Sequence, residues 1–226
     1  MATKAYLTPE EVETMAEAAT CVRDELLILV TFWLACRISE TLAIRVEDVD
    51  AVQNAVTIKH LKTRTRLLCP HCNTRLSRMA RFCPGCGKEV SEPLKKEQEM
   101  HRIRTIPLEK KTMGLLINFI HRDGTEGLIF KIGRTQALKI VKDCARKAGV
   151  GELVNPETGK MRGVSPHRLR DAFAVMAVQQ DDSTDGIRML QEHLGHASIG
   201  TTMKYRKVAG TELREWYAKR TQHNSP

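Results

Sequence analysis

The chain has 226 residues, 42% of them hydrophobic but only 4% aromatic, so a core built from it must be largely aliphatic. Lys and Arg outnumber Asp and Glu 36 to 27, a net charge of +9 that points to a polyanionic partner, nucleic acid being the commonest. No apolar run approaches the ~20 residues of a membrane span and no signal segment opens the chain, so the expectation is a cytoplasmic protein without a membrane partner.

Thr8-Pro9-Glu10-Glu11 opens a helix: Thr8 can cap it, Pro9 suits the first turn and Glu11 completes a capping box. That helix is predicted to run to about residue 19. A second, over 23–35, contains DELLILVTFWLA, which is apolar on most faces and belongs at the centre of the core. Ser39 is placed to cap a short helix, ETLAIRV. Residues 48–50 read as a turn, and 55–60 alternate like a strand. From 66 to 99 the chain is polar, holds four clustered cysteines and shows no helix of convincing length. HRIRTIPL then alternates again, so the two strands read as one antiparallel hairpin with a module threaded between them. Helices follow at 109–121 and 134–148, then a turn-rich loop, NPETGKMRG, then helices at 166–179, 184–194, 199–205 and 211–220. The fold class is α+β, mostly helical with a small antiparallel sheet.

Cys69-Pro-His-Cys72 and Cys83-Pro-Gly-Cys86 are two knuckles separated by ten residues. Each sets two thiolates on one side of a tight turn. Together they supply four sulfurs for a tetrahedral zinc ion, with no position left open. Gly85 and Gly87 suit the bends of a knuckle, and His71, between two ligands, reads as a bystander. A segment this short and polar cannot fold by burial alone, so a structural metal must provide most of its folding free energy. Arg75, Arg78, Arg81, Lys88, Lys95 and Lys96 surround the knuckles; DNA binding and a solvated face both remain open for them. Cys21, Cys36 and Cys144 lie in apolar-patterned segments and are expected as small core residues.

Four dispersed segments carry the remaining chemistry. Arg37-Ile-Ser-Glu40 sits where a long helix gives way to a short one. Lys62-Thr63 follows the first strand. His167-Arg168-Leu169-Arg170 opens a helix, and Leu194-Gly195-His196 is followed nine residues on by Tyr205. Each is weak by itself. In this order and spacing they resemble the tyrosine recombinase (phage integrase) family, nearest its Xer-type and archaeal branches. The likeness covers nearly the whole chain apart from the cysteine insert.

The resemblance implies a tyrosine recombinase catalytic domain over 1–65 and 100–226, with a zinc ribbon inserted at 66–99 and no N-terminal core-binding domain. It implies site-specific DNA recombination in which Tyr205 attacks a phosphodiester, leaving a covalent 3′-phosphotyrosine and a free 5′-hydroxyl, without ATP or a catalytic metal. Arg37 and Arg170 would clamp the scissile phosphate, whose developing charge suits the planar arginine fork. Lys62 matches the family's general acid, with Lys59 as the fallback. His167 would take or share the tyrosine proton, and His196 would donate to the phosphate. Glu40 is expected to orient Arg37, and Asp171 a neighbouring catalytic group. Tyr217 is a rival tyrosine, but REWYAKR reads as one face of a terminal helix. Leu213, Trp216 and Tyr217 fit either a neighbouring subunit or packing in cis. The implied partners are double-stranded DNA and further copies of the chain, assembled on it as a tetrameric synapse, which places the protein in the nucleoid. The alternatives are type IB topoisomerase-like relaxation and a non-catalytic, zinc-containing DNA-binding regulator.

Overall fold

The computed structural model describes residues 4–77, 79–155 and 158–208, without the side chains of 60–65, 96–102, 207 and 208. Two compact units emerge. One comprises the chain up to Ile58 and again from Arg104; the other is Lys59–Ile103.

In the first unit, α1 (Pro9–Glu17) starts with the expected capping box: Glu11 N donates to Thr8 Oγ1 at 3.4 Å and Thr8 N to Glu11 Oε2 at 2.9 Å. Helix α2 (Val22–Trp33) is the axis of the core. Leu26, Leu27, Ile28, Val30 and Phe32 are all buried, and the helix packs against α1, α4 (Lys110–Arg122) and α6 (Pro166–Gln180). A helix apolar all round needs this central place, because each face must find an apolar neighbour. Phe32, Trp33 and Phe173 meet edge to face, with Phe32 5.0 Å from Trp33 and 5.9 Å from Phe173.

Helix α3 (Ile38–Thr41) is shorter than expected and is not capped by Ser39. Arg37 occupies the cap position, and the Glu40 carboxylate reaches back to its backbone N–H at 3.0 Å. Beyond Thr41 the chain leaves the helix to bury Leu42 and Ile44, and the Ile44 carbonyl accepts from Ile129 N at 3.1 Å. Burial in the core thus overrides the helical signal of ETLAIRV. The expected turn at 48–50 is a 3-10 turn, Val46–Asp48, followed by strand β1 (Val49–Asp50). Strands β2 (Ala55–Leu68) and β4 (Leu94–Pro107) pair and are each longer than the alternating runs suggested. Val49 of β1 stands opposite Val56 of β2.

Helices α5 (Arg134–Lys147), α7 (Thr184–Leu194) and α8 (Ile199–Val208) complete the unit with α4 and α6, close to their predicted places. The predicted loop NPETGKMRG is not all loop: its Met161–Arg162 form strand β6, which pairs with β5 (Leu153–Val154) just before it. The helix predicted at 211–220, with Tyr217, lies outside the described residues. Among the described residues, no helix is long and apolar enough to cross a membrane. Cys36 and Cys144 are buried as expected. Cys21 is not a core residue: it is exposed, in the extended position that precedes α2.

The second unit contains the far ends of β2 and β4 and the segment between them. Leu67 and Leu68 of β2 pair with Leu76 and Arg75 of β3 (Arg75–Leu76), and Phe82 bridges Glu89. Among the described residues its buried cluster is Cys69, Leu76, Cys83 and Val90.

Candidate active site and metal centre

Arg170 is the hub of the catalytic candidates. It sits one turn into α6 with 1% of its surface exposed. Nη1 donates to the Ala35 carbonyl at 2.6 Å and Nη2 to the Leu194 carbonyl at 2.8 Å. One guanidinium thereby ties the turn before Arg37 to the end of α7 before His196. Both turns are shaped for this. Ala35 takes φ +46, uncommon for a residue with a Cβ, and Gly195 closes α7 at φ +64, where glycine is favoured. Burial, and then the charge of Arg37, lower the Arg170 pKa, but two carbonyl acceptors hold the guanidinium in place.

Arg37 is exposed, with Nη1 on Glu40 Oε1 at 3.0 Å. Glu40 itself is buried. Burial alone would push its carboxyl up, but Arg104, the Arg37 backbone N–H and the Arg37 charge together hold it below the usual range. Glu40 therefore stays anionic and orients Arg37, as expected.

Arg104, which sequence reasoning did not single out, completes this cluster. Its Nη2 lies 3.0 Å from Glu40 Oε2 and 3.7 Å from Cys36 Sγ. Its guanidinium also packs against Gly195, where a Cβ would come within 3.2 Å of the Arg104 Cζ. The Nε atom is buried without a partner among the described residues. A signal was available. In the alternating strand HRIRTIPL, residue 104 shares a face with Ile106, which is 2% exposed, so an arginine occupies an inward slot.

His196 sits just past α7, and its Nδ1 is 2.9 Å from Thr202 Oγ1. Burial, then the charges of Arg170 and Arg37, depress its pKa to about 4. It is a neutral imidazole near pH 7, with Nε2 the ring nitrogen facing outward from that bond. Tyr205, on α8, is 5% exposed, and its ring stacks on His196 with centroids 6.4 Å apart. The phenol donates to Asp171 Oδ1 at 2.8 Å. Burial, reinforced by the Asp171 charge, raises the Tyr205 pKa well above its ordinary value, so the phenol keeps its proton until a reaction removes it.

Asp171 Oδ2 also forms an ion pair with Arg168 Nη1 at 2.9 Å, and Asp171 Oδ1 is 3.9 Å from His167 Nε2. Arg168 is thus a brace for Asp171, while Arg170 faces the Arg37 turn. The His167 side chain remains 61% exposed at the start of α6. Its pKa is lowered, first by burial and then by Arg168 and Arg170, with Asp171 opposing. Arg37, Arg170, His196 and Tyr205 are therefore brought together, with His167 one carboxylate away from the tyrosine. Lys62 falls in the part of β2 whose side chains are not described. Lys59 is exposed on the same strand.

In the second unit the four knuckle sulfurs lie within 4.8 Å of one another. Sγ of Cys69 is 3.7 Å from that of Cys86, and Sγ of Cys72 is 3.4 Å from that of Cys83. A tetrahedron with metal–sulfur bonds of about 2.3 Å has edges near 3.8 Å, so the set fits one metal ion. Backbone N–H groups of His71 and Gly85 point at Cys69 Sγ (3.4 Å) and Cys83 Sγ (3.3 Å), as expected for sulfurs that carry negative charge. His71 is exposed and outside the sulfur cluster. Gly87 takes φ +70, where glycine is favoured, and a Cβ on Gly85 would collide with the Thr74 side chain.

Residues 5–212 match the phage integrase family. Tyrosine recombinase XerA of Pyrococcus horikoshii is 27% identical over 209 residues, an alignment spanning 92% of this chain and 59% of that protein. The chain thus covers about 59% of the length of this relative. A crystal structure of XerA recombinase aligns over 100% of this chain and 67% of its own, with a TM-score of 0.64 at 20% identity. The catalytic domain of bacteriophage HP1 integrase aligns over 98% of both chains, with a TM-score of 0.54 at 16% identity. These two structures share the fold, and with the family match over 5–212 the resemblance read from the motifs holds: the chain belongs to the phage integrase family.

Proposed function

We propose that the chain is a site-specific DNA recombinase that cleaves and rejoins strands through a covalent 3′-phosphotyrosine on Tyr205. The observation that carries this reading is the buried Arg170, which ties the Arg37 turn to the His196 turn beside the tyrosine. Cleavage makes one bond, Tyr205 Oη to phosphorus, and breaks one, phosphorus to the 5′-oxygen. The tyrosine proton passes into the Asp171–His167 pair, to which the phenol already donates. Lys62 supplies a proton to the leaving 5′-oxygen. Arg37, Arg170 and the Nε2–H of neutral His196 meet the charge on the non-bridging oxygens. Rejoining runs the same steps backward. The phosphotyrosine conserves the bond energy, so the reaction needs neither ATP nor a catalytic metal.

Arg104 acts as a positioning residue, since it shares Glu40 with Arg37 and underlies the Gly195 turn. Cys69, Cys72, Cys83 and Cys86 hold zinc as a structural ion, because four thiolates leave it no open coordination position. The substrate is double-stranded DNA, on which copies of the chain assemble as a tetrameric synapse. Incubation with nicked duplexes should give a slow band on a denaturing gel that Tyr205→Phe abolishes. Exchange of strands between two duplexes, rather than relaxation of a supercoiled circle alone, would set recombination apart from topoisomerase action. A duplex that binds without ever forming the band would overturn the proposal.

A further inference from the structure

The positive charge is very unevenly distributed. Residues 59–103 hold 11 of the 36 Lys and Arg but only four of the 27 acidic residues, a net +7 of the chain's +9. The other 181 residues hold 25 basic and 23 acidic side chains, a net of only +2. Four thiolates on one divalent ion subtract two, so the metal-loaded unit still carries +5.

A merely solvated face normally mixes both signs, as the helical unit does. In the ribbon unit Arg66, Arg75, Arg81, Lys88 and Lys95 are all exposed, and none forms an ion pair among the described residues. Among those residues their charge is therefore uncompensated. Exposed apolar side chains concentrate there too. Met79 (90% exposed), Phe82 (62%), Leu94 (50%) and Ile103 (67%) are four of the ten large hydrophobics exposed among the described residues. Uncompensated cations interleaved with an aromatic and aliphatic side chains match a nucleic-acid surface, where cations meet phosphates and flat or apolar groups meet sugars and bases. Surface charges act within about 8–10 Å at physiological salt, so a polyanion responds to this local excess and not to the chain average.

We propose that the ribbon unit is the chain's main electrostatic docking surface for double-stranded DNA, through Arg66, Arg75, Arg81 and Lys88, cations other than the Lys62 assigned to the chemistry. The inference rests on the reading that the chain acts on DNA. Its metal does no chemistry; it holds the basic loops in a folded shape that so small a core could not hold alone.

The test compares two variants of the 226-residue chain, each shown to keep its zinc and its unfolding temperature. One carries Arg66→Gln, Arg75→Gln, Arg81→Gln and Lys88→Gln. The other carries Lys110→Gln, Lys131→Gln, Lys139→Gln and Lys142→Gln in the helical unit. Affinity for a mixed-sequence duplex pool is measured against salt, and Tyr205 adduct formation at saturating nicked duplex. The ribbon variant should lose affinity, and its salt slope should fall by about 0.9 for each phosphate that is no longer neutralised, with adduct formation unchanged. The helical variant should keep most of its slope. Phe82→Ala should weaken binding with the slope preserved. Equal losses in both quadruple variants, or a parental affinity and slope in the ribbon variant, would overturn the docking assignment even where the adduct forms. A parent that binds duplex without forming an adduct would instead defeat the recombinase reading, and the salt slopes would still decide the docking surface.

Discussion

Arg104 and Arg170 show how two inward-facing arginines, one fully buried and one partly so, do different work. Arg170 satisfies two carbonyls and so joins two turns; Arg104 braces Glu40, which in turn aims Arg37. Arg104→Lys keeps the charge but loses the planar fork that spans Glu40 and Gly195. Adduct formation at saturating DNA should fall about tenfold, ~1.4 kcal/mol of transition-state stabilisation, with duplex affinity unchanged. A purely structural role would instead lower the unfolding temperature and leave the rate of the folded fraction intact. Two histidines set a pH limit. Burial first, then nearby arginines, depress His193 and His196 to about 4, so both rings are neutral in the folded state near pH 7. Unfolded, each would titrate near 6.5. Their folding stability is thus fully present above 6.5 and is lost as pH falls from 6.5 toward 4. Melting temperature measured across that window should drop, and His193→Gln should flatten the drop. The motif residues were legible because each carries a distinctive type at a fixed spacing. Arg104 was not, because an arginine in a basic strand looks like a solvated charge until the face it shares with Ile106 is recognised.

At the scale of elements, most helices could be read from the sequence because their apolar faces repeat at helical period and their first turns carry caps. The short α3 could not, since Leu42 and Ile44 are drawn into the core and end it early. The full length of β2 and β4 was hidden for another reason. KHLKTRTRLL and LKKEQEMHRI are too charged to alternate visibly, and the two backbones pair all the same. The clustering of the four sulfurs was legible from the cysteine spacing alone, because metal-ligand spacing is a stricter code than hydrophobic pattern. The ribbon's dependence on metal can be checked directly. Chelation of zinc, or Cys83→Ser, should make residues 59–103 sensitive to limited proteolysis and leave the far-ultraviolet helical signal in place. Collapse of that signal would show that the helical unit needs the metal as well. In α2, Phe32→Ala should cost about 3–5 kcal/mol, read from denaturant unfolding, because it empties the aromatic junction with Trp33 and Phe173.

At the scale of the whole molecule, the charge is divided between a nearly neutral helical unit, which holds Arg37, Arg170, His196 and Tyr205, and a small basic unit, which holds Lys62 and the four clustered sulfurs. The excess that points to a polyanionic partner thus lies in residues 59–103, while in the helical unit Arg37 pairs with Glu40 and Arg170 donates to two carbonyls. In this structure the Tyr205 phenol is buried and donates to Asp171, so in the proposed cleavage its proton leaves along that bond as Tyr205 Oη closes on phosphorus. The most direct measurement is therefore the site and polarity of the covalent product. Trapped complexes with nicked duplex would be digested with protease and nuclease, and the modified peptide identified by mass. The account predicts a single nucleotide adduct on Tyr205, linked through the 3′-phosphate and absent from Tyr205→Phe. An adduct that survives in Tyr205→Phe, or that maps to Tyr217 or to the 5′ end, would contradict it.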